Sequence, residues 1–542
     1  MEEKMFNLLK EPWICVMNKE CDISELSVLE LFEHAHEYVD LRGELATQDI
    51  AILRVLLAIL HTVFSRYDLN GKESKLKDAD DALDRWENIW KNGRFPMEPL
   101  RVYLESQIER FWLIHPDRPF YQCNYAKIGT EYTAAKLNGN LSESNDKIRL
   151  FSTVSGKSKN FMSFSEAARW LIYVNAYDDT SAKPSSEAKK LSEKLPSPGV
   201  GWLGKLGLLT IGGNNLFETL LLNMVMQNSN KSLYGSERPI WEREIVPSDE
   251  RKEIPLPDNL AELYTLQSRR LLLKVSGEKV IGYYLLGGDF FEKNNAFIEP
   301  MTVWAKQKSK TEEVYSPRRH DPSKQFWREF GSVIPELDGK DKRPGIISWL
   351  GILEEEGIID INYLLKVRIA SVQYGKEESF IFNVFSDTIS MHSTLILSLN
   401  QELQKVIMNQ VEFCDKLAGY VRELARDFNL AAGGSGDTSE MKASSLKKKK
   451  KSTSEIVANL LKERFYQYID EPFRKWLCEY NPKVDDAVLK AKEWNRQCIK
   501  IAENLGREMI SEVTSQAIFG RNGVSAAGAI NKFMLKLKKE AQ

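Results

Sequence analysis

The stretch Gly199–Asn223, GVGWLGKLGLLTIGGNNLFETLLLN, decides how the rest of the chain is read. Six glycines fall within fifteen residues, and an apolar helical run follows. Glycines at this density let a backbone take positive φ and approach another surface closely. Two phosphate-binding patterns overlap here. Gly199, Gly201 and Gly204 satisfy the dinucleotide spacing G-x-G-x-x-G. Gly199, Gly204 and Lys205 satisfy a P-loop up to its end, where Leu206 replaces the magnesium-holding Ser or Thr. Both patterns need a strand directly before them and a helix opening at the last glycine. The preceding residues, SEKLPSP, read instead as a polar linker, and the helical run starts only at Asn214 or Asn215, with Glu218 in its first turn. The stretch is expected to be a backbone-shaping loop anchored by a helix. A nucleotide-dependent enzyme built on Gly199–Lys205 is the alternative.

The 542 residues suffice for about two to four domains on length alone. Hydrophobic residues make up 42% and charged residues 28%, an ordinary balance for a globular protein. A formal net charge of −2 favours no partner, so any nucleic-acid role has to rest on local basic patches. The six cysteines (Cys15, Cys21, Cys123, Cys414, Cys478 and Cys498) form no CxxC pair, which removes a zinc ribbon and a thioredoxin-like site. No metal or cofactor is expected. The opening MEEKMFNLLKEPW lacks a signal-peptide core, and no uninterrupted apolar run approaches the roughly eighteen residues of a membrane span. A reduced, cytoplasmic protein with no membrane partner is the expectation.

N-terminal to the glycine stretch, Trp13–Val16 reads as a short strand and Ser24–His36 as a helix. Thr47–Tyr67 reads as a buried apolar helix capped by Thr47, with His61 packed in the core. Asp80–Asn92 and Met97–Phe111 add two helices before an aromatic, proline-containing corner with His115 and Asp117. That pair has neither nucleophile nor metal partner, so catalysis is not assigned to it. Lys157 and Lys159 flank Ser158 in a small loop suited to phosphate contact or simply to solvent. Phe164–Ala176 is helical.

Beyond the stretch, LLLKV and VIGYYLL around a Gly-Glu turn predict a β-hairpin. Ala296–Lys306 adds a further strand, and Arg318, Arg319 and His320 form a small basic cluster. Mixed β signals run from Ile358 to Phe385. From there the periodicity is helical in four blocks: Met391–Ala432, Ser454–Glu479, Asp485–Glu503 or beyond, and Ala526–Lys539. Between the first two blocks lies a Gly/Ser-containing loop near 433–453 that ends in Lys447–Lys451. The fold class is α+β. A mixed α/β N-terminal domain (1–385) is followed by a C-terminal four-helix bundle (386–542).

Several pieces, in this order, resemble the large subunit of type I-E CRISPR Cascade, the CasA family: FNLLKEPWICV at the start, RPFYQ at Arg118–Gln122, GLLTIGGNNLFETLLLN at Gly207–Asn223, YTLQSRRLLL at Tyr264–Leu273, and the helical C-terminal third. The resemblance covers essentially the whole chain. It implies a non-catalytic DNA-recognition subunit of an RNA-guided complex, which inspects double-stranded DNA for a motif beside the target, helps open the duplex and docks a helicase–nuclease. The implied partners are the other Cascade subunits, the CRISPR RNA, the target duplex and that helicase–nuclease. A structural scaffold remains a further alternative.

The resemblance also implies three DNA-meeting elements, working largely from the minor groove. A loop contacting guide RNA and neighbouring subunits matches Phe151, Ser152, Thr153, Lys157, Lys159 and Asn160. A glycine loop matches Gly199, Gly201, Trp202 and Gly204. A wedge hairpin, aligned on Tyr374, falls on Gly375–Ser379, with Lys376, Glu377, Glu378 and Ser379 in it. Lys293 is matched to a lysine that assists groove reading. A glutamine is familiar at the wedge tip, whereas Glu377 and Glu378 stand there in this chain. Two carboxylates facing phosphates are unfavourable. Either the register shifts toward Gln373, or the wedge works by backbone and shape.

Overall fold

A computed structural model describes residues 4–139, 159–180, 199–228, 230–244, 252–309, 312–332, 341–360, 363–397, 401–434, 453–521 and 523–542. The principal elements run β1 (Ile14–Met17), β2 (Ile23–Leu26), α1 (Val28–His34), β3 (Asp40–Leu41), α2 (Ala46–Arg66), α3 (Ala79–Asn92), α4 (Met97–Ser106), β4 (Thr130–Thr133), α5 (Phe164–Tyr177), β5 (Leu208–Gly212) and α6 (Leu216–Leu222). They continue with β6 (Arg269–Ser276), β7 (Lys279–Gly287), β8 (Leu364–Tyr374), β9 (Ile381–His392), α7 (Gln401–Ala431), α8 (Thr453–Glu479), α9 (Ala487–Ser511) and α10 (Ala526–Glu540). The chain is mixed α+β and divides into two units. One comprises Met1–Lys324, Ser332–Ile361 and Leu365–Thr388; the other comprises Gln325–Gly331, Asn362–Leu364 and Ile389–Gln542.

Helix α2 is the core of the first unit. It is long and apolar enough to cross a membrane, a property the sequence reading did not register, but its most apolar window is 94% buried inside the fold. Thr47 is not its cap. The helix begins one residue earlier, after Leu45, without a side-chain cap, and Thr47 lies buried within it. His61 is buried on the same helix, edge-on to Tyr264, and desolvation pushes its pKa down to about 3. Arg54, mid-helix and 1% exposed, makes a bidentate bond to Glu299 at 2.8 Å on both nitrogens and lies 4.2 Å from the Tyr264 ring centre.

Helix α2 packs against other helices, α4, α5 and α6 among them, and the strands include three three-stranded sheets. In the first, β1 pairs with β2 and β3, so Ser24–Leu26 is strand rather than the start of a helix. The capping box belongs to Ser27 and Glu30, and α1 begins after it. In the second, β7 lies between β4 and β6, and the hairpin turns at Gly277, whose φ is +58°. In the third, β8 lies between β9 and β5, with Gly212 opposite Lys366 and Leu208 opposite Ala370. Strand β5 was not anticipated from sequence. All five of its residues are buried, so no polar alternation marks it. Over Ala296–Lys306 only Trp304–Lys306 is strand. Pro300 has no N–H to give a ladder, and its carbonyl instead accepts from Ile346.

In the second unit α7 packs against α8, α9 and α10, and α9 also packs against α8 and α10. Trp327 stacks on Phe473 with ring centres 4.4 Å apart and donates to Asp470 at 2.7 Å. The first helical block was expected from Met391. Strand β9 runs through His392, and the long helix starts at Gln401. The lysine tract Lys447–Lys451 lies outside the described residues.

Candidate nucleic-acid interface

The glycine loop enters at Gly199 with φ +71°, then Trp202–Lys205 forms one tight 3-10 turn leading into β5. Three of its backbone donors are engaged within the protein. The Gly201 N–H donates to the Asp178 carbonyl at 3.0 Å, Trp202 N–H to Ser268 Oγ at 3.2 Å, and Gly204 N–H to the Gly201 carbonyl at 2.9 Å. Close approach at Gly201 is likewise internal, because a Cβ there would collide with the Ala176 carbonyl at the end of α5. Trp202 is buried, donating from Nε1 to Glu299 Oε2 at 2.9 Å, with its ring 4.5 Å from that of Phe291. The loop thus hangs on the same carboxylate that pairs with Arg54. A turn running into a strand has no helix opening at its last glycine, as both a P-loop and a dinucleotide cradle require. That geometry gives the nucleotide-enzyme alternative no support.

Arg269 secures the other side of the loop. Its Nε donates to Asp178 Oδ2 at 2.6 Å, and its Nη2 to the carbonyls of Asp179 and Gly199 at 2.7 and 3.0 Å. The residue heads β6 and is 1% exposed. Neither the sequence reading nor the resemblance gave it a role. The signal available was a pair of arginines opening an otherwise apolar strand.

The candidate wedge, Gly375–Ser379, is the turn between β8 and β9, closed by the Gly375 N–H donating to the Phe380 carbonyl at 2.9 Å. Glu377 and Glu378 take left-handed φ values of +56° and +57°. Such values cost non-glycine residues energy unless neighbours hold them. Here Thr180 does: its N–H and Oγ1 donate to the Glu378 and Glu377 carbonyls at 3.0 and 2.9 Å. The carboxylates are also offset, Glu378 by Arg319 at 2.8 Å and Glu377 by Lys376 at 3.5 Å. Ser379 Oγ donates to the Lys376 carbonyl at 2.8 Å.

Arg319 joins the two elements. Beyond Glu378, its Nε donates to the Gly204 carbonyl at 2.6 Å and its guanidinium lies 5.1 Å from the Tyr374 ring centre. Its neighbours in the basic cluster have partners of their own. Arg318 pairs with Asp341 at 3.3 Å, and the buried His320 bonds the Leu208 carbonyl at 3.0 Å. Glycine loop and hairpin tip meet at a cleft of 620 Å³ whose lining includes Gly199, Lys205, Lys293, Arg318, Arg319 and Glu378. Four cations, Lys205, Lys293, Arg318 and Arg319, line it together with two carboxylates, Glu292 and Glu378. Burial, with Lys293 and Arg269 nearby, lowers the Lys205 pKa to about 8. Because burial is the larger cause, the shift marks a partly desolvated lysine at the cleft wall.

Of the other expected site residues, Phe151, Ser152, Thr153 and Lys157 lie outside the described residues. Lys159 is half-buried and Asn160 exposed, just before the bridge from Met162 to Val280, and neither lines the cleft. At the aromatic corner, His115 Nδ1 accepts from the N–H groups of Asp117 and Arg118, each at 3.0 Å, so it staples a turn. Among the described residues, no group of three or more His, Cys, Asp or Glu side chains is placed to hold a metal.

The model of the family described as CRISPR-associated protein Cse1 matches residues 7–505. CasA/Cse1 of Thermus thermophilus is 28% identical over 344 residues, which span 62% of this chain and 61% of that relative's length. The crystal structure of Thermobifida fusca Cse1 superposes with a TM-score of 0.81 at 29% identity, covering 99% of this chain and 98% of the other. A chain from a CRISPR RNA-guided surveillance complex shares the fold at a TM-score of 0.68 and 14% identity, covering 98% of this chain and 99% of that one. Because the family match runs unbroken through the glycine loop, the hairpin and the greater part of the second unit, the chain belongs to the CRISPR-associated Cse1 family.

Proposed function

We propose that this protein is the large, non-catalytic subunit of a cytoplasmic RNA-guided CRISPR surveillance complex. In this reading it inspects double-stranded DNA from the minor groove for a short motif beside the target, promotes strand separation, and docks the helicase–nuclease that follows. The supporting observation is the cationic cleft at which Arg319 ties the glycine loop to the hairpin tip. Gly199, Lys205, Lys293 and Arg318 line this cleft and support contact with a phosphate or groove edge, while Gly201 and Trp202, outside the lining, hold the loop in position. Of the tip carboxylates, Glu378 is offset by Arg319 at 2.8 Å, while Glu377 stands exposed with Lys376 at 3.5 Å.

The test is binding of the assembled complex to a labelled duplex carrying target and adjacent motif, titrated with KCl. Each of Lys293→Ala and Arg318→Ala should weaken binding and flatten the log K against log salt slope by about 0.9, the value for one lost phosphate contact. Unchanged affinity and slope in both variants would overturn the assignment of the cleft. Gly201→Ala is a poor probe, since its Cβ clash disturbs the fold first.

A further inference from the structure

Behind the glycine loop lies an internal cavity of about 20 Å³. Arg54 of α2, Asn175 of α5, Trp202 and Leu203 of the loop's turn, and Tyr264 are among its walls. Three of these residues carry a buried polar atom with no hydrogen-bond partner among the described residues: Arg54 Nε, Asn175 Oδ1 and the Tyr264 hydroxyl. Arg54 and Asn175 are each 1% exposed and Tyr264 is 5% exposed, so none of the three opens to bulk solvent. The rest of each side chain is fixed. Arg54 holds Glu299 through its two terminal nitrogens, and the Tyr264 ring centre lies 4.2 Å from the same guanidinium. Asn175 Nδ2 donates to the Leu171 carbonyl at 3.3 Å, which settles the end of the amide that carries the oxygen. Polar atoms this deep are costly unless paired.

Their chemistry is complementary to one small molecule. The Nε–H can only donate, Oδ1 can only accept, and the hydroxyl can do either. A ligand that accepts from Arg54, donates to Asn175 and keeps a bond for Tyr264 is water. The size agrees, since one water needs roughly 10–15 Å³ of such space. So does the charge. Arg54 is already matched by Glu299 through two bonds of 2.8 Å, which leaves no unmatched charge for an anion, while its guanidinium repels a metal cation.

We infer that this cavity is a binding site for a single internal water that bridges Arg54, Asn175 and Tyr264. The water is then part of the seat of the glycine loop. Trp202 and Leu203 wall the cavity on the loop side, and Trp202 shares the Glu299 carboxylate with Arg54.

Tyr264→Phe in the full chain separates a wet cavity from a dry one by sign. With the water bound, the substitution removes a hydrogen bond that is made, and the urea midpoint should fall. In a dry cavity it removes an unpaired buried hydroxyl, so a midpoint that holds or rises overturns the inference. A crystal structure of the wild-type chain, at a resolution that shows ordered solvent, is independent of how well the variant folds. It should place one water within hydrogen-bond distance of at least two of the three atoms. Well-ordered side chains with no density between them overturn the inference. So does an anomalous peak in the cavity after a bromide soak, which would make it an anion site.

Discussion

Gly204 and Tyr374 compete for the same volume: a Cβ at position 204 would overlap the tyrosine hydroxyl and stand 3.0 Å from ring carbon Cζ. That hydroxyl is the one bonded to the Tyr177 carbonyl. Gly204→Ala should therefore destabilise the protein by about 1–3 kcal/mol through overpacking. Tyr374→Phe alone should cost about 1–3 kcal/mol by stranding a buried carbonyl. The double variant should cost less than the two together, because removing the hydroxyl relieves the clash. Urea denaturation of the three variants measures the coupling.

Glu299 is 0% exposed and accepts from Arg54 and Trp202 together. Glu299→Gln leaves the Arg54 guanidinium buried without its counter-charge. A loss of about 3–5 kcal/mol is expected. Tryptophan fluorescence should report a changed environment for Trp202 before global unfolding.

Lys205 gives a pH signature. Its folded pKa of about 8 lies below the ordinary 10.5 of an exposed lysine. Between those values the unfolded chain binds more protons than the folded one, so the contribution of this lysine to stability rises with pH. Lys205→Met should raise Tm over wild type most below pH 8. The advantage should shrink across pH 8 to 10.5. A difference independent of pH would show that the lysine is not desolvated.

Arg319→Ala removes the bond to Gly204, the ion pair to Glu378 and the contact with Tyr374 at once. Residues Gly375–Ser379 should then exchange amide hydrogen at least about tenfold faster, as for a segment opening locally. Strands β6 and β7 should be unaffected. Hydrogen exchange by mass spectrometry resolves the two regions.

What could be read from the sequence was local. The hairpin of β6 and β7 declared itself by β-branched and aromatic runs around Gly277–Glu278, and Asn215 was legible as the cap of α6 because Glu218 follows three residues on. The family resemblance was legible from short motifs kept in order. Strand β5 was not, since a five-residue run buried on both faces has no period to detect and its partner lies some 150 residues away in β8. Nor was the inward role of Gly201 and Gly204. Spacing shows that glycine is needed at a position, while only the fold shows which neighbour, Ala176 or Tyr374, requires it. Arg319 looked like one of several surface cations, and its partners at 204, 374 and 378 come together only through tertiary structure.

Arg269 acts as a clasp. A single nitrogen of its guanidinium donates to the carbonyls of Asp179 and Gly199, so the chain leaving α5 and the chain entering the glycine loop are held side by side. The glycine loop therefore takes its starting point from the head of β6, far from it in sequence, and a change at that one strand position would move the loop's entrance.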